Sequence, residues 1–484
     1  MKARPVTPPA GYFPAALLAA QNARVFPAEP DENLLLDRAR RFDTERRNDL
    51  AGILRRQYAD VPDFEGSAAE KSLQLLERDG TFTVTTGQQA HLFLGPLYVV
   101  YKISDAIQKA ALYKERWPNQ DFVPIFWMAT EDHDFEEIAS IRAFGAEFSW
   151  ERSHGGPVGR LSLNGMQPLL EALDTRISDP QARGEWEALK AIYESSANLA
   201  SATRKIVHRY FGPYGLLCID PDDAELKKQF LPDMEAELVL GRYSKAVKRG
   251  TENLAGSGVS PAAAVRDPNM FVLDKAGMRR RISRREDGFK LFPGETRIAE
   301  DALANRLQRT PEDFSPNVLF RPLYQERILP NVAYIAGPSE YIYWCQTKDL
   351  FTEAGMAAPA LVRRRSFILP DAKTLSQMDK LAIPDDWWWE GDDAFKSALL
   401  QRAGEVNPFN GLRERWISLI EETAAAMHAG RDAGLKAFRN TSGDLLNQLK
   451  KSANSYTEGL DNPHPFHRKG QIGRWKFCLK TKSC

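Results

Sequence analysis

Residues 83–98 read TVTTGQQAHLFLGPLY, a pattern that predicts a strand, a polar turn and a helix opening on Gly95-Pro96. The β-branched run ends in a glycine and two amides, and an amphipathic segment follows from Leu97 to about Tyr113. A second apolar run at 122–128 ends in the ionisable stretch TEDHD at 130–134. Open α/β sheets bind ligands at the carboxyl ends of their strands. The two segments together therefore predict an enzyme with its site at this edge.

Two further strand signals, residues 215–220 and 331–336, extend the α/β pattern. The second runs into Gly337-Pro338 and a helix, so the chain uses strand, glycine-proline and helix twice. Glycine permits the tight turn, and proline suits the first helical position. Between 250 and 312 turns and short strands dominate. We expect the arginines there to lie on a solvated hairpin, with phosphate contact as the alternative; they are Arg279, Arg280, Arg281, Arg284 and Arg285.

Length and composition set the class of protein. With 484 residues the chain should form two or three packed units. Its 65 basic and 65 acidic residues balance, which argues against a dedicated nucleic-acid-binding role. No apolar run approaches the roughly 20 residues of a membrane-spanning helix. The four cysteines form no C-x-x-C pair, which fits a reducing cytosol better than a zinc or disulfide framework. We expect a cytoplasmic protein without membrane or nucleic-acid partners.

Beyond Pro370 the composition changes to long helical segments. Leu412, Trp416, Leu419 and Thr423 are spaced at four, three and four, the seam of a coiled coil. The pattern predicts either a homodimer contact through these C-terminal helices or a helical hairpin within one chain.

Several short blocks between about residues 80 and 370 resemble the bacillithiol biosynthesis cysteine-adding enzyme family (BshC). The resembling blocks are TGQQA with GPLY (86–90, 95–98), PIFW with EDHDF (124–127, 131–135), FG with GL (211–212, 215–216), DPD (220–222), SPNV (315–318), RPLYQ (321–325), LP (329–330), and GPSE with YW (337–340, 343–344).

The resemblance implies an α/β, Rossmann-like core related to class I aminoacyl-tRNA synthetases, with connecting insertions and a C-terminal helical, coiled-coil domain. It divides the chain into N-terminal helices and the first half of the core (1–138), connecting insertions with interspersed core elements (139–310), the second half of the core (311–372) and the helical region (373–484). It also implies a ligase that adds cysteine to glucosaminyl-malate, with ATP and Mg²⁺ as the expected cofactors.

Amide formation needs an activated carboxylate, and an acyl adenylate made from ATP would supply it. Backbone N–H groups at a helix N-terminus suit phosphate. We therefore assign the nucleotide to the first turn and the start of the next helix, with Thr86, Gly87, Gln88, Gln89, Gly95 and Pro96. The chain has no Walker A and no G-x-G-x-x-G motif. The alternative is that this turn only connects two elements.

The second turn supplies the predicted catalytic group of Asp132, His133 and Asp134. His133 suits phosphate contact or proton transfer, and Asp132 suits acceptance of the amine's proton or binding of a cation. Asp134 is alternatively the cap of the following helix. One histidine with carboxylates is a weak metal signature, so we predict no tight metal site.

The second half of the chain is expected to close the same cleft. Arg321 is assigned to the malyl carboxylates and Glu340 to a substrate amine, unless the two pair with each other or cap helices. Trp344 is alternatively a core residue. The predicted substrate-binding residues are Asn317, Arg321, Gln325, Gly337, Ser339, Glu340 and Trp344.

One residue and the C-terminal tail depart from the family pattern. His91 stands where the family often has glycine, so no role is assigned to it. The basic tail at 467–484 lacks the extended helical ending, so we expect an altered or incomplete helical region. Two other functions compete with the ligase. One is a catalytically inactive nucleotide-binding regulatory or assembly protein. The other is an RNA-binding relative of the synthetases, against which the neutral charge and the missing K-M-S-K-S motif argue.

Overall fold

The computed structural model describes residues 4–5, 15–152, 156–294, 296–368, 372–380 and 383. The chain divides into two compact units, residues 1–369 and 370–484. The predicted segments 1–138 and 139–310 fall in the first unit, and so does the segment 311–372 as far as residue 369. The predicted coiled-coil seam from Leu412 to Thr423 lies outside the described residues.

The described elements are numbered in chain order. The helices are α1 (Ala15–Asn22), α2 (Glu32–Arg41), α3 (Thr44–Gln57), α4 (Ala68–Leu76), α5 (Leu97–Arg116), α6 (Phe135–Ile138), α7 (Gln167–Asp174), α8 (Pro180–Ser195), α9 (Leu199–Phe211), α10 (Ala224–Leu240), α11 (Arg242–Gly256), α12 (Glu300–Arg309), α13 (Arg321–Ile328), α14 (Pro338–Gln346), α15 (Lys348–Glu353) and α16 (Ala372–Lys380). The strands are β1 (Arg4–Pro5), β2 (Thr81–Gln88), β3 (Asp121–Met128), β4 (Ser140–Ala143), β5 (Ala146–Ser149), β6 (Leu217–Ile219), β7 (Met270–Leu273), β8 (Arg279–Arg285), β9 (Gly288–Phe292), β10 (Arg297–Ile298), β11 (Phe314–Pro316), β12 (Asn331–Ala336), β13 (Ala360–Arg363) and β14 (Phe367–Ile368).

Five parallel strands form the central sheet in the order β13-β12-β2-β3-β6. From β2 the chain builds outward through β3 and β6, then returns to the other side of β2 with β12 and β13. This order confirms the predicted α/β, Rossmann-like fold, and it creates a topological switch point between β2 and β12. The four strands expected from the sequence all lie in this sheet, whereas the edge strand β13 was not predicted.

Strand β2 is rich in threonine and yet buried, and three of its threonine hydroxyls donate hydrogen bonds to β12. The Oγ1 of Thr85 donates to the Oδ1 of Asn331 at 2.8 Å, and the Oγ1 of Thr86 donates to the carbonyl of Ile335 at 2.9 Å. Buried polar groups are tolerated when they are hydrogen-bonded in this way. The threonines thereby fix β12 beside β2, at the switch point.

The two glycine-proline signals start their helices differently. Helix α5 begins at Leu97, with Pro96 in the N-cap position. Helix α14 has Gly337 as its N-cap and Pro338 as its first residue. The expectation that proline takes the first helical position is therefore confirmed for Pro338 and wrong for Pro96.

A second, antiparallel sheet interrupts the central fold between β6 and β12. Its strands follow the order β10-β9-β8-β7-β11, so the arginine-rich β8 is its middle strand. Along β8 alternate side chains share a face. Arg279 and Arg281 therefore lie on one face and Arg280 on the other.

None of the helices in the described ranges is both long enough and apolar enough to cross a membrane.

The turn after β3 is held by a short loop that follows β5. The N–H of Val158 donates to the carbonyl of Asp132 at 2.7 Å, and the N–H of Gly159 donates to the carbonyl of Thr130 at 2.9 Å. The backbones approach so closely that a Cβ at position 159 would lie 2.4 Å from the Cβ of Thr130. Glycine at 159 is therefore required for this contact.

Gly159→Ala should lower the free energy of unfolding by about 1–3 kcal/mol, since the added methyl overpacks the contact with Thr130. Gly184→Ala is the matched control, because this exposed position in α8 has no atom within 4 Å of an added Cβ. Alanine there should stabilise the protein by roughly 0.5–1 kcal/mol. Urea unfolding followed by circular dichroism measures both. Equal effects of the two variants would contradict the close approach at Gly159.

Candidate functional site

One cavity of about 590 Å³ lies between the carboxyl ends of β2, β3 and β12 and the inserted antiparallel sheet. Two predicted turns, after β2 and after β3, both contribute to it, so the expected juxtaposition at the sheet edge is present. Besides Gly87, its polar and aromatic lining comprises Gln88, Gln89, Trp127, Glu131, Asp132, His133, Glu137, Arg266, Phe271, Arg279, Arg281, Asn317, Arg321, Tyr334, Glu340 and Tyr343.

The structure divides the predicted site residues into two groups. Those that line the cavity are Gly87, Gln88, Gln89, Asp132, His133, Asn317, Arg321 and Glu340. Those that lie outside its lining are Thr86, Gly95, Pro96, Asp134, Gln325, Gly337, Ser339 and Trp344. The second group mostly holds the first in position.

The turn after β2 is fixed by a buried lysine that the sequence analysis missed. The Nζ of Lys102, on α5, donates to the carbonyl of Gly87, to the Oε1 of Gln88 at 3.2 Å and to the carboxylate of Glu340. A Cβ at Gly87 would lie 3.2 Å from the Oη of Tyr334 and 3.3 Å from the carbonyl of Trp127, so this backbone is closely packed. The feature of the sequence that could have revealed this residue is a lysine on the buried face of α5.

Gly95 and Pro96 belong to the far side of this turn. Gly95 has a φ of +52°, and a Cβ there would lie 2.4 Å from the Cβ of His91. His91 itself is buried, and burial lowers its pKa to about 4, so its ring is neutral at physiological pH. The helix start therefore packs on His91 instead of facing the cavity.

Glu340 and Arg321 meet through a tyrosine hydroxyl. The hydroxyl of Tyr334 donates to the Oε1 of Glu340 at 2.9 Å and accepts from the Nη2 of Arg321 at 3.3 Å. Burial opposes ionisation of Glu340, but the charge of Lys102 and the Gly337 N–H keep its pKa below the ordinary value. Glu340 thus already has a cation, which disfavours its assignment to a substrate amine.

The second turn is organised around Asp132. Its Oδ2 accepts from the Nε2 of Gln89 at 2.8 Å, and its Oδ1 accepts from the N–H of His133 at 2.8 Å and from the Nη1 of Arg279 at 3.0 Å. Burial raises the pKa of a carboxyl, yet the imidazole of His133, whose Nδ1 lies 3.3 Å from Oδ1, the charge of Arg279 and these hydrogen bonds hold the pKa of Asp132 well below its usual range. A carboxylate so fully bonded is a poor proton acceptor, so the geometry favours an orienting role for Asp132.

Arg279 joins the inserted sheet to this turn. Its Nε donates to the Oγ of Ser315 at 3.0 Å, and its Nη2 donates to the carbonyl of Pro316 at 3.0 Å. Its Nη1 lies 3.2 Å from the Nδ1 of His133 in addition to Asp132, and its guanidinium carbon lies 3.9 Å above the ring of Phe271. The expectation of a solvated hairpin is wrong for Arg279, whose exposed fraction is 7%.

Arg281 also lines the cavity, two residues along the same face of β8. Its guanidinium carbon lies 4.8 Å from the ring centre of Phe292. Arg266 contributes a further exposed guanidinium to the rim. These cations give the wall formed by the insertion a positive charge, which suits an anionic ligand.

Glu131 is the residue of the second turn that the site assignment omitted. Its exposed fraction is 4%, and its Oε2 has no hydrogen-bond partner among the described residues. Burial raises the pKa of Glu131 to about 7, against the nearby positive charges of Lys227 and Arg279. Two neighbouring carboxyl groups, Glu131 and Asp132, therefore have pKa values shifted in opposite directions.

Four further predicted residues lie outside the cavity lining, and three of them have contacts that stabilise the fold. Asp134 is exposed and caps α6, with its Oδ1 accepting from the N–H of Glu137 at 3.3 Å. Gln325 is buried and accepts from the Nη1 of Arg321 at 3.1 Å. Trp344 is fully buried and stacks on Tyr334 with ring centres 4.4 Å apart, as its core alternative predicted. Ser339 is exposed in the first turn of α14.

Asn317 lines the cavity and holds the turn that precedes α13. Its Oδ1 accepts from the N–H groups of Leu319 and Phe320, both at 3.0 Å. Within the described ranges no group of three or more histidine, cysteine, aspartate or glutamate side chains is arranged to hold a metal ion.

Comparison with known proteins gives one family. The model of the bacillithiol biosynthesis BshC N-terminal Rossmann-like domain matches residues 24–365. A protein of Flavobacterium johnsoniae named "Putative cysteine ligase BshC" is 38% identical over 355 residues, which are 73% of this chain and 66% of that protein. A protein of the same name from Flavobacterium psychrophilum is 34% identical over 423 residues, 86% of this chain and 76% of the relative. A third, from Heliobacterium modesticaldum, is 32% identical over 386 residues, 74% of this chain and 70% of the relative.

Arg279→Met should lower the free energy of unfolding by about 3 kcal/mol, the lower end for breaking a buried ion pair, because the Asp132 side chain is 32% exposed. Arg280→Met is the matched control: this neighbour pairs with Asp274 on the opposite face, and both side chains are about a quarter exposed. It should cost less than about 1 kcal/mol. Chemical unfolding at pH 7 measures both, and similar losses would contradict the special position of Arg279.

Proposed function

This chain belongs to the bacillithiol biosynthesis BshC family, as its sequence blocks predicted, and from that premise we propose that it is a ligase that adds cysteine to glucosaminyl-malate. The relatives carry the name of cysteine ligase, and the substrate is the one that the family resemblance implied. The product would be an amide between the cysteine carboxyl group and the amino-sugar nitrogen.

The observation that carries this proposal is the cavity at the switch point of the sheet. It brings the closely packed turn at Gly87 together with the imidazole of His133 and the cations of the inserted sheet. Ligands of Rossmann-like folds bind at such a point. The same strand order supports the inference that the core is related to class I aminoacyl-tRNA synthetases.

The cysteine carboxylate must be activated before an amine attacks it. We propose that ATP serves as co-substrate, with the carboxylate attacking the α-phosphate and pyrophosphate leaving, and with Mg²⁺ arriving on the phosphates. Arg281 and Arg266 fit this polyanion, because each lines the cavity and neither is engaged with a carboxylate in the described hydrogen bonds and ion pairs. Such cations stabilise the charge that develops on phosphorus.

His133 would bind the ATP phosphates, and Arg321 would bind the malyl group of the amino-sugar substrate. The Nδ1 of His133 lies 3.2 Å from the Nη1 of Arg279 and 3.3 Å from the Oδ1 of Asp132, so Nε2 is the nitrogen that remains for a ligand. In the tautomer in which Nδ1 accepts from Arg279, Nε2 carries the ring proton and donates to a phosphate oxygen. Arg321 offers its guanidinium to the malyl carboxylates while Tyr334 and Gln325 hold it in place. Activity in the cytosol and dimerisation through the C-terminal helices stay predictions.

Purified protein with ATP, Mg²⁺, cysteine and glucosaminyl-malate should form a thiol product whose mass equals the two substrates joined with loss of water. Mass spectrometry detects it, and omission of ATP should abolish it. The control reaction replaces cysteine by serine. Absence of product under every nucleotide condition would favour the catalytically inactive regulatory or assembly protein.

His133→Ala should lower kcat by about 100-fold or more, because a hydrogen-bond donor positioned on an oxygen that gains charge in the transition state contributes a factor of about 10²–10³. The side chain is 41% exposed, so the melting temperature should stay within about 2 °C of the wild type. Steady-state kinetics and differential scanning fluorimetry measure the two effects. A large drop in melting temperature together with the rate would mean that His133 acts through the fold.

A further inference from the structure

Two adjacent carboxylates at the end of β3 lie in opposite environments. Asp132 accepts hydrogen bonds from Gln89, from the N–H of His133 and from Arg279. Glu131 lines the same cavity, is 4% exposed, and has an oxygen, Oε2, without a hydrogen-bond partner among the described residues. Nearly all buried polar atoms in folded proteins are hydrogen-bonded, so an orphaned carboxylate oxygen at a cavity wall indicates a ligand that supplies the missing partner.

The cations near Glu131 are engaged elsewhere. Lys227 pairs with Asp222 and donates to the carbonyl of Glu312 at 3.0 Å. Arg279 is committed to Asp132, Ser315 and Pro316, and Arg321 to Tyr334 and Gln325, as described above. These groups lower the cost of a charge on Glu131 without binding its oxygen.

Two further titratable groups face Glu131. They are the carboxylate of Asp222, from the segment before α10, and the phenol of Tyr324, from α13. The hydroxyl of Tyr324 donates to the carbonyl of Pro221 at 2.8 Å, and Asp222 is paired with Arg160 and Lys227. Neither group has a proton to share with Glu131 near neutral pH. The acceptor capacity of Glu131 is therefore available to a molecule in the cavity.

We propose that Glu131 is the catalytic proton acceptor of the ligase reaction. This inference rests on the proposed function. The amino-sugar nitrogen attacks the carboxyl carbon of the activated cysteine, so that the C–N bond forms and the C–O bond to AMP breaks. AMP leaves with the bonding electron pair, the proton of the nitrogen passes to the Glu131 carboxylate, and Glu131 later releases it to solvent.

The electrostatics of the site suit Glu131 as the base and Asp132 as the group that orients His133. A general base works best when its pKa is close to the operating pH. Burial raises the pKa of Glu131 to about 7, whereas Asp132 stays ionised and orients His133. Paired carboxyl groups with pKa values pushed apart are a recurring feature of acid–base sites. The neighbour that the sequence suggested as the base, Asp132, is the less suitable of the two.

The kinetic test uses Glu131→Gln, which keeps the size of the side chain and removes its basicity. We expect kcat to fall by about 100-fold or more with KM within about twofold. The wild-type kcat/KM should fall tenfold per pH unit below pH 7, and the variant should lose this limb. Glu131→Asp should retain the limb at an intermediate rate. Glu136→Gln, the same change at an exposed neighbour outside the cavity lining, should match the wild type.

A stability measurement tests the same group without turnover. Because the pKa of Glu131 is raised from 4.5 to about 7, the folded protein binds more protons than the unfolded chain between these values. The wild type therefore loses stability relative to Glu131→Gln as the pH rises through 7, and the two converge below about pH 4.5. The melting-temperature difference between them should grow from pH 5 to pH 8. A difference that does not change with pH would overturn the proposal.

The possible outcomes distinguish a failure of the ligase assignment from a failure of the role of Glu131. A wild type that makes no product overturns the ligase assignment and the role of Glu131 with it. An active wild type with Glu131→Gln at the same rate overturns only the role of Glu131. A variant with raised KM and unchanged kcat also overturns it, because Glu131 would then bind the substrate ammonium group instead of accepting its proton.

Discussion

The ion pair between Arg279 and Asp132 is the contact on which the cavity depends. A guanidinium that is almost fully buried requires partners for its charge. Here it finds them on both sides of the cleft, in Ser315 and Pro316 of the inserted sheet and in Asp132 of the Rossmann-like core. The pair therefore sets the distance between two sheets of different topology. It also keeps Asp132 ionised, and through Asp132 it orients His133 and Gln89.

Much of the fold was predictable because its information is local. Four core strands are continuous apolar or β-branched runs, and each ends in glycine or in ionisable residues, so their type and the edge they share follow from sequence. The family blocks coincide with those ends. The first glycine-proline was assigned to the nucleotide, but neither Gly95 nor Pro96 lines the cavity, and Gly95 approaches His91 closely. A local pattern does not distinguish a turn that faces a ligand from one that faces the core.

The missed residues depend on contacts between distant parts of the chain. Arg279 and Arg281 share a face by the strand period, but which element that face meets is decided by an insertion far from β3 in sequence. To predict the role of Lys102, one would have to know where Glu340 lies, more than two hundred residues later in the sequence. Trp344 and Ser339 are adjacent to true lining residues, yet the helical period turns their side chains elsewhere. The spacing of residues along the chain therefore predicted which turns line the cleft, but only part of the list of lining residues.

The strand order has a consequence for how this chain is made. While the ribosome is still translating the middle of the protein, β2 has one neighbour, β3, and its other hydrogen-bonding edge has no partner until Asn331–Ala336 emerges. An open edge of this kind is prone to pair with other chains. Pairing with β12 removes this open edge, so its exposure ends only when that strand has been made. A half-translated polypeptide lacks Arg279, Arg321 and Glu340, so the cleft is completed only late in synthesis.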